Sequence, residues 1–436
     1  MTFFHAGSAF SYNPTMLTNL EKEVRQNLKY NLTVNLWDGG LFGVALGFAS
    51  FGTILPLFVA TMTDSALLIG LVPAIHSVGW QFPQLFMAQR VARLRKYKRT
   101  VLLTTLHERF PFLGLALVAL LIPFIGTQAA LVLTFLLLIW QGLGGGFTAN
   151  TWTSMISKII PSDSRGTFFG FQSALANLTL SGAAILAGYL LDAFDSPLDF
   201  VACFLIAFVF FFLSWYALSL TREPEDTEKV IPETQPHFWH EARTVLARDV
   251  NFRWFLGARF LSQFAVMGFS FYIIYALRRF HMDPITAGFL PATLTISQTV
   301  ANAGMGWLGD RIGHRAMLIA GSVAAFASSV LAWHATSLAW FYPIFLLTGL
   351  ANVAIWTNSL SMTVDFGSEA DRPMYIGLSQ TLTAPATIFA PILGGWIADL
   401  AGFQPTFIIS TALSVGLFAV LLLFVKDPRA LHKEQS

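Results

Sequence analysis

Gly306-Trp307-Leu308-Gly309-Asp310-Arg311-Ile312-Gly313-His314-Arg315 lies between two apolar runs, 284–303 before it and 316–333 after it. So short a polar stretch can only turn the chain around. The two runs therefore read as neighbouring membrane helices and the decapeptide as the turn at the membrane surface. Gly306 and Gly309 let one helix end come close to a neighbour's backbone. Asp310 is a carboxylate suited to the positive N-terminal end of another helix. Gly313 can take the positive φ of a tight turn. Arg311 and Arg315 are cations that stay on the cytoplasmic side of a membrane.

The pattern of that hairpin extends along the chain. Of 436 residues, 55% are hydrophobic and 11% charged, whereas a soluble domain carries roughly 25% charge. A helical span needs about 20 apolar residues. Apolar runs fall at about 32–60, 66–89, 101–124, 129–157, 167–191 and 199–220, then at 254–280, 285–308, 316–334, 338–364, 374–398 and 404–425. These twelve runs predict an all-α polytopic membrane protein. Residues 1–30 form a polar tail, 31–220 a first six-helix bundle, 221–250 a linker with an amphipathic helix near 237–248, 251–425 a second bundle and 426–436 a polar tail. The first 30 residues lack a continuous apolar core, so no cleavable signal peptide is expected. The single cysteine, Cys203, sits in an apolar run and forms no intramolecular disulfide.

Loop charge sets the orientation. Of 26 Lys and Arg, Arg278 and Arg279 fall in odd-numbered loops and Arg109 and Arg259 in spans, which leaves 22 in the tails and even-numbered loops. Both termini are therefore expected in the cytoplasm. The dense cluster from Arg90 to Arg99 reads as a topogenic patch facing lipid headgroups, and no nucleic-acid partner is expected.

The chain also repeats itself. Arg165, Gly170, Gly188 and Asp192 recur as Arg372, Gly377, Gly395 and Asp399, each 207 residues on. A constant offset across a loop, a helix and the next loop indicates a duplicated six-helix unit. The decapeptide resembles the loop signature of the major facilitator superfamily, G-x-x-x-D-R-x-G-[RK]-[RK], with His314 in one basic slot. Two six-span halves joined by a polar linker are the parallel repeat of that superfamily. The likeness covers about 30 to 426. The first half departs from it: its second loop, Arg90 to Arg99, has the basic end of the signature without its aspartate or glycines.

The resemblance implies a secondary transporter working by alternating access, with the first, fourth, seventh and tenth spans lining a central cavity. On those spans the polar and aromatic residues Asp38, Asn150, Trp152, Arg259, Gln263, Tyr272, Asn352 and Trp356 are the candidates for binding substrate or a coupling proton. Asp310, Arg311, Arg315 and Arg165 are the candidates for gating, with Asp310 meeting the start of the fifth span near Gly166. Charges inside spans are the sharper signal, since each costs at least about 2.5–3.5 kcal/mol at mid-bilayer unless paired or wet. Asp38 and Arg259 fall in near-equivalent places when the halves are aligned by Asn31 and Asn251, so they are read as a functional pair. The structural alternative has Arg259 reaching for headgroups and Asp38 capping a bend at Gly39-Gly40. Glu108 and Arg109 are read as a structural ion pair in a peripheral span.

No hydrolase, kinase or zinc motif is present, so no enzyme activity, cofactor or metal is expected. Gly142 to Gly146 reads as close helix packing rather than a phosphate loop. The expected partners are a small-molecule substrate, protons and membrane lipids, around a monomer in the plasma or inner membrane. Aromatic lining tilts the reading to export of an amphiphile. A sugar or organic-acid symporter or uniporter is the alternative within transport, and a non-transporting receptor or scaffold the alternative outside it.

Overall fold

The computed structural model describes residues 19–63, 66–226, 238–280, 284–368 and 371–430, and every regular element among them is helical. The first pass is α1 (Asn19–Phe48) with α2 (Ile54–Ala60), and the second is α3 (Ala66–Gln81) with α4 (Gln84–Ala92), broken at Phe82 and Pro83. Next come α5 (Lys98–Thr104) and α6 (Leu106–Ile159). Lys98 to Ile159 makes 62 residues of nearly continuous helix. At 1.5 Å per residue that is about 93 Å, three times a hydrocarbon core of about 30 Å, so it must be two passes. The break is at Gly126, where φ is 80° and ψ 161°, a conformation open to glycine alone. The first bundle ends with α7 (Arg165–Ala193) and α8 (Leu198–Ser219).

The linker carries α9 (Phe238–Arg248). The seventh pass is α10 (Val250–Ala265), a 3-10 turn (Met267–Phe271) and α11 (Tyr272–Phe280). Then follow α12 (Pro284–Ile312) and α13 (His314–His334), hinged at Gly313 with φ 96°. The tenth pass is α14 (Phe341–Val353), a π turn (Ala354–Asn358) and α15 (Ser359–Val364), and α16 (Arg372–Ala401) and α17 (Phe403–Leu423) complete the second bundle. Among the described residues, seven helices are individually long and apolar enough to cross a membrane. The other passes fall short because they are broken or carry polar residues for the interior.

The repeat is visible atom by atom. Arg165 donates to the Ser157 carbonyl and Arg372 to the Val364 carbonyl, and 364 − 157 is again 207. Asn31 exchanges two hydrogen bonds with the backbone of Arg222, as Asn251 does with that of Lys426. In the first half, Lys158 at the end of α6 pairs at 3.1 Å with Glu223 just past α8. In the second half, Asp365 at the end of α15 pairs at 2.7 Å with Arg429 just past α17. The arrangement is the same and the charges are reversed.

Glu223 also accepts from the backbone N–H groups of Tyr97 and Lys98, at 2.8 and 2.7 Å, so the basic second loop is partly an internal strap. Just beyond, the hydrogen bond from Lys96 to Glu225, 3.0 Å long, holds the Glu225 carboxyl below its ordinary range.

The two bundles are in contact at the end of these straps. There α7 packs on α12, with Gly170 and Gly306 in near contact, and α4 packs on α16, with Leu85 against Gly377. Leu85 and Ala88 join an apolar cluster of the second bundle, and Leu360 joins one of the first. At the far end, the cluster of Phe58, Phe112 and Phe204 belongs wholly to the first bundle, and that of Tyr272, Tyr275 and Phe407 wholly to the second.

Candidate functional site: an acidic cavity and an interdomain latch

A cavity of about 220 Å³ opens inside the first bundle, lined among others by Asp38, Phe42, Trp80, Glu108, Arg109 and Trp152. Small residues on α1 bring it against α7: a Cβ at Gly43 or Gly47 would collide with α7 backbone. That packing turns Asp38 toward α6 and α8. Ser214 of α8 donates to Asp38 Oδ1 at 2.6 Å. Arg109 donates to the Phe211 carbonyl at 2.9 Å, to Ser214 Oγ at 3.0 Å and to the Thr105 carbonyl at 3.4 Å. Its guanidinium stands 3.8 Å from both Asp38 Oδ1 and Glu108 Oε2. One guanidinium thus serves two carboxylates, and the cluster carries an excess negative charge when both are ionised.

Gly142 to Gly146 is close packing: a side chain at Gly144 would strike the backbone of His107 and Glu108, and one at Gly146 the carbonyl of Gly79.

The latch joins the bundles at the strap end. Gly166 N–H donates to Asp310 Oδ1 at 2.9 Å and Thr167 N–H donates to Oδ2. The carboxylate therefore caps the start of α7, where backbone donors are unpaired. Arg429 donates to Asp310 at 3.3 Å and to Asp365 at 2.7 Å, and its Nη2 lies 2.9 Å from His314 Nε2. Asp365 lies 3.9 Å from Arg165 of the first bundle, which closes a ring of charges across the interface. The symmetry-related contact of α4 with α16 is neutral: Asn150 donates to the carbonyls of Gln84 and Pro373 at 2.9 and 2.8 Å.

The structure thus distributes the predicted residues widely. Asp38 and Trp152 line the cavity, whereas Asn150 bridges the bundles. Asp38 is bonded to Ser214 and faces Arg109 within its own bundle. Neither part of the structural alternative holds. α1 runs unbroken through Gly39 and Gly40, and Arg259 is 3% exposed. Arg259 donates one bond of 3.4 Å to Gln380, and its Nε and Nη1 have no partner among the described residues.

Gln263 donates to Ser262 at 3.3 Å. Tyr272, expected in the cavity wall, is instead fully buried in the aromatic core of the second bundle, its hydroxyl 3.1 Å from Ser329. Asn352 is half-buried on α14, and Trp356 is exposed on the π turn. Arg315 donates to the carbonyls of Leu421 and Leu422 at 3.1 and 2.7 Å, tying α13 to the end of α17. Arg311 stacks on Trp307 at 3.5 Å.

Glu108 and Arg109, expected as an ion pair, stand 3.8 Å apart on the cavity beside Trp80, and Asp365 and Arg429 join the latch; the last three residues were not singled out from the sequence. Two adjacent charges inside an apolar run were the available signal for the first pair. Arg429, in a polar tail, gave none.

The architecture is that of a helical polytopic membrane protein of two repeated bundles, with a charged cavity in the first. The chain belongs to the Major Facilitator Superfamily, whose family profile matches residues 39–278 and again 255–436. It is an integral membrane protein of that superfamily.

Among curated relatives, it is 27% identical over 166 residues to the MFS-type transporter ppzB of Metarhizium majus, covering 36% of this chain and 35% of the relative. It is 29% identical over 147 residues to the vesicular acetylcholine transporter of Mus musculus, covering 34% and 28%. The match therefore spans about a third of the length of these relatives. Multidrug resistance protein 2 of Bacillus subtilis matches at 23% over 390 residues, 86% of this chain and 91% of that one.

Among solved structures, a bacterial homologue of the iron transporter ferroportin, in its outward-facing state, has a TM-score of 0.74 at 16% identity, covering 90% of this chain and 98% of that one. The fucose:proton symporter FucP of E. coli has 0.73 at 15%, covering 91% and 98%. Likeness at such identities is likeness of fold.

Proposed function

We propose that this chain is a secondary carrier that exports a small amphiphilic solute in exchange for protons, by alternating access. The observation that carries the reading is the cavity: two buried carboxylates share one guanidinium, with Phe42, Trp80 and Trp152 as apolar walls. Arg109 keeps its charge at any physiological pH, so the exchangeable proton belongs to Asp38 or Glu108. Two packed bundles related by a repeat fit the rocking motion of such carriers. The 22 cations at the tails and even loops support a cytoplasmic position for the latch end. Arg259 favours a second reading, an organic-acid substrate, because its guanidinium has donors to spare.

Flux into proteoliposomes tests the proposal. Amphiphile uptake driven by an imposed proton gradient is expected for the parent and is expected to fall at least tenfold in Asp38→Asn. Gradient-driven uptake at the parental rate in that variant would refute a coupling role for Asp38. Orientation is tested with Asp163→Cys on a Cys203→Ala background: an impermeant thiol reagent should label it only in opened cells. Labelling of intact cells would reverse the assignment.

A further inference from the structure

The cavity's charge and shape name the class of substrate, an inference that rests on the carrier reading above. Asp38 is held by Ser214 at 2.6 Å and by Arg109. Glu108 is held far more loosely, by Thr105 at 3.4 Å and by Arg109 at 3.8 Å. Its Oε1 takes no hydrogen bond from any described residue, although the side chain is only 10% exposed. That oxygen lies 3.1 Å from the point where a Gly145 Cβ would stand, and Trp80 Cδ1 lies 3.2 Å from the same point. A carboxylate oxygen and an indole thus flank one small space that only a glycine leaves empty. Trp152 and Phe42 stand on the same cavity. Arg109, the cation of the cluster, spends its donors on Phe211, Ser214 and Thr105 and lies 5.5 Å from the Phe42 ring.

We infer that the cavity takes a compact organic cation, a protonated or quaternary amine, with Glu108 as its counter-charge and the faces of Trp80 and Trp152 as its walls. Aromatic faces attract cations through the ring quadrupole and are the usual means of binding quaternary ammonium groups. An acid in excess of its base inside a membrane calls for a cation, and the proton of the exchange cycle is its natural competitor. The volume limits the size: about 220 Å³ lies below the roughly 300–1,000 Å³ of drug-sized pockets. An anionic solute would meet the carboxylates, and a neutral one would leave Glu108 unmatched.

The test uses the purified full chain and three probes of nearly one shape: choline, its neutral isostere 3,3-dimethyl-1-butanol and the anion 3,3-dimethylbutanoate, each titrated by calorimetry. Choline is expected to bind at least tenfold tighter than the alcohol, and the anion not at all. Glu108→Gln, whose fold is checked by its thermal midpoint, should erase the preference for choline. Gly145→Ala, which fills the space beside the carboxylate, should weaken choline while leaving the helices packed. Equal binding of choline and alcohol, preference for the anion, or no binding by any of the three overturns the inference. Proteoliposome flux separates the two readings. Choline binding without flux would uphold the cation site and remove the carrier, whereas flux of solutes regardless of charge would do the reverse.

Discussion

Arg109→Gln is expected to lower the thermal midpoint of the purified protein by about 10 °C. The change leaves Asp38 and Glu108 facing each other with no cation between them. Removing one partner of a buried ion pair costs about 3–5 kcal/mol, because the remaining charge stays desolvated. Here two charges are stranded, and the carbonyls of Phe211 and Thr105 lose their donor as well. For a unit of 150–250 residues each kcal/mol moves the midpoint by about 2–4 °C, and the first bundle is of that size. Arg109→Lys should recover part of the loss, since lysine keeps the charge but cannot reach three acceptors with one planar fork. Adding Glu108→Gln to Arg109→Gln should recover most of it by removing the surplus acid. Differential scanning fluorimetry reads all four proteins. A drop of less than about 2 °C in Arg109→Gln would mean that water, not the guanidinium, matches the carboxylates.

That cluster also marks where the sequence stops being legible. Spans, hairpins and the duplicated unit follow from composition and period, because a bilayer forces every pass to be apolar and internally bonded. The 207-residue offset reappears in Arg165 and Arg372, each bound to a carbonyl eight residues before it. What cannot be read is which charge faces which. Aligning the halves by Asn31 and Asn251 puts Asp38 and Arg259 at near-equivalent sequence positions, and that alone suggested a pair. The partner of Asp38 is decided by the rotation of α1, which the glycines at 43 and 47 fix by packing on α7. That rotation directs Asp38 to Arg109, 71 residues along the chain, on a helix expected to be peripheral. Tyr272 shows the same limit: its span was right, and its face was not. Arg429 was illegible for another reason, since a cation in a polar tail carries no signal until the tail folds back on the latch.

Asp310→Asn is expected to raise the population open at the latch end about ten- to a hundredfold. The carboxylate accepts from Gly166 and Thr167 of the other bundle, and hydrogen bonds to a charged group contribute about 1.5–3 kcal/mol each. Asparagine keeps one acceptor and loses the charge that meets the positive start of α7. A net loss of about 1.4–2.8 kcal/mol gives that range of population. The readout is a cysteine at Leu85, which is 4% exposed and packs on Gly377 while the latch is closed. In a Cys203→Ala background, the labelling rate of Leu85→Cys should rise in proportion to the open fraction. Arg429→Gln should move it the same way but less far. Arg429 bonds only groups of its own bundle, Asp310, His314 and Asp365, and Asp310 retains both backbone donors without it. The variant also leaves two carboxylates without their shared cation, which Arg165 at 3.9 Å relieves only in part. Equal labelling rates in the parent and Asp310→Asn would show that the other contacts at this end, α4 on α16 and α7 on α12, hold it closed without the carboxylate.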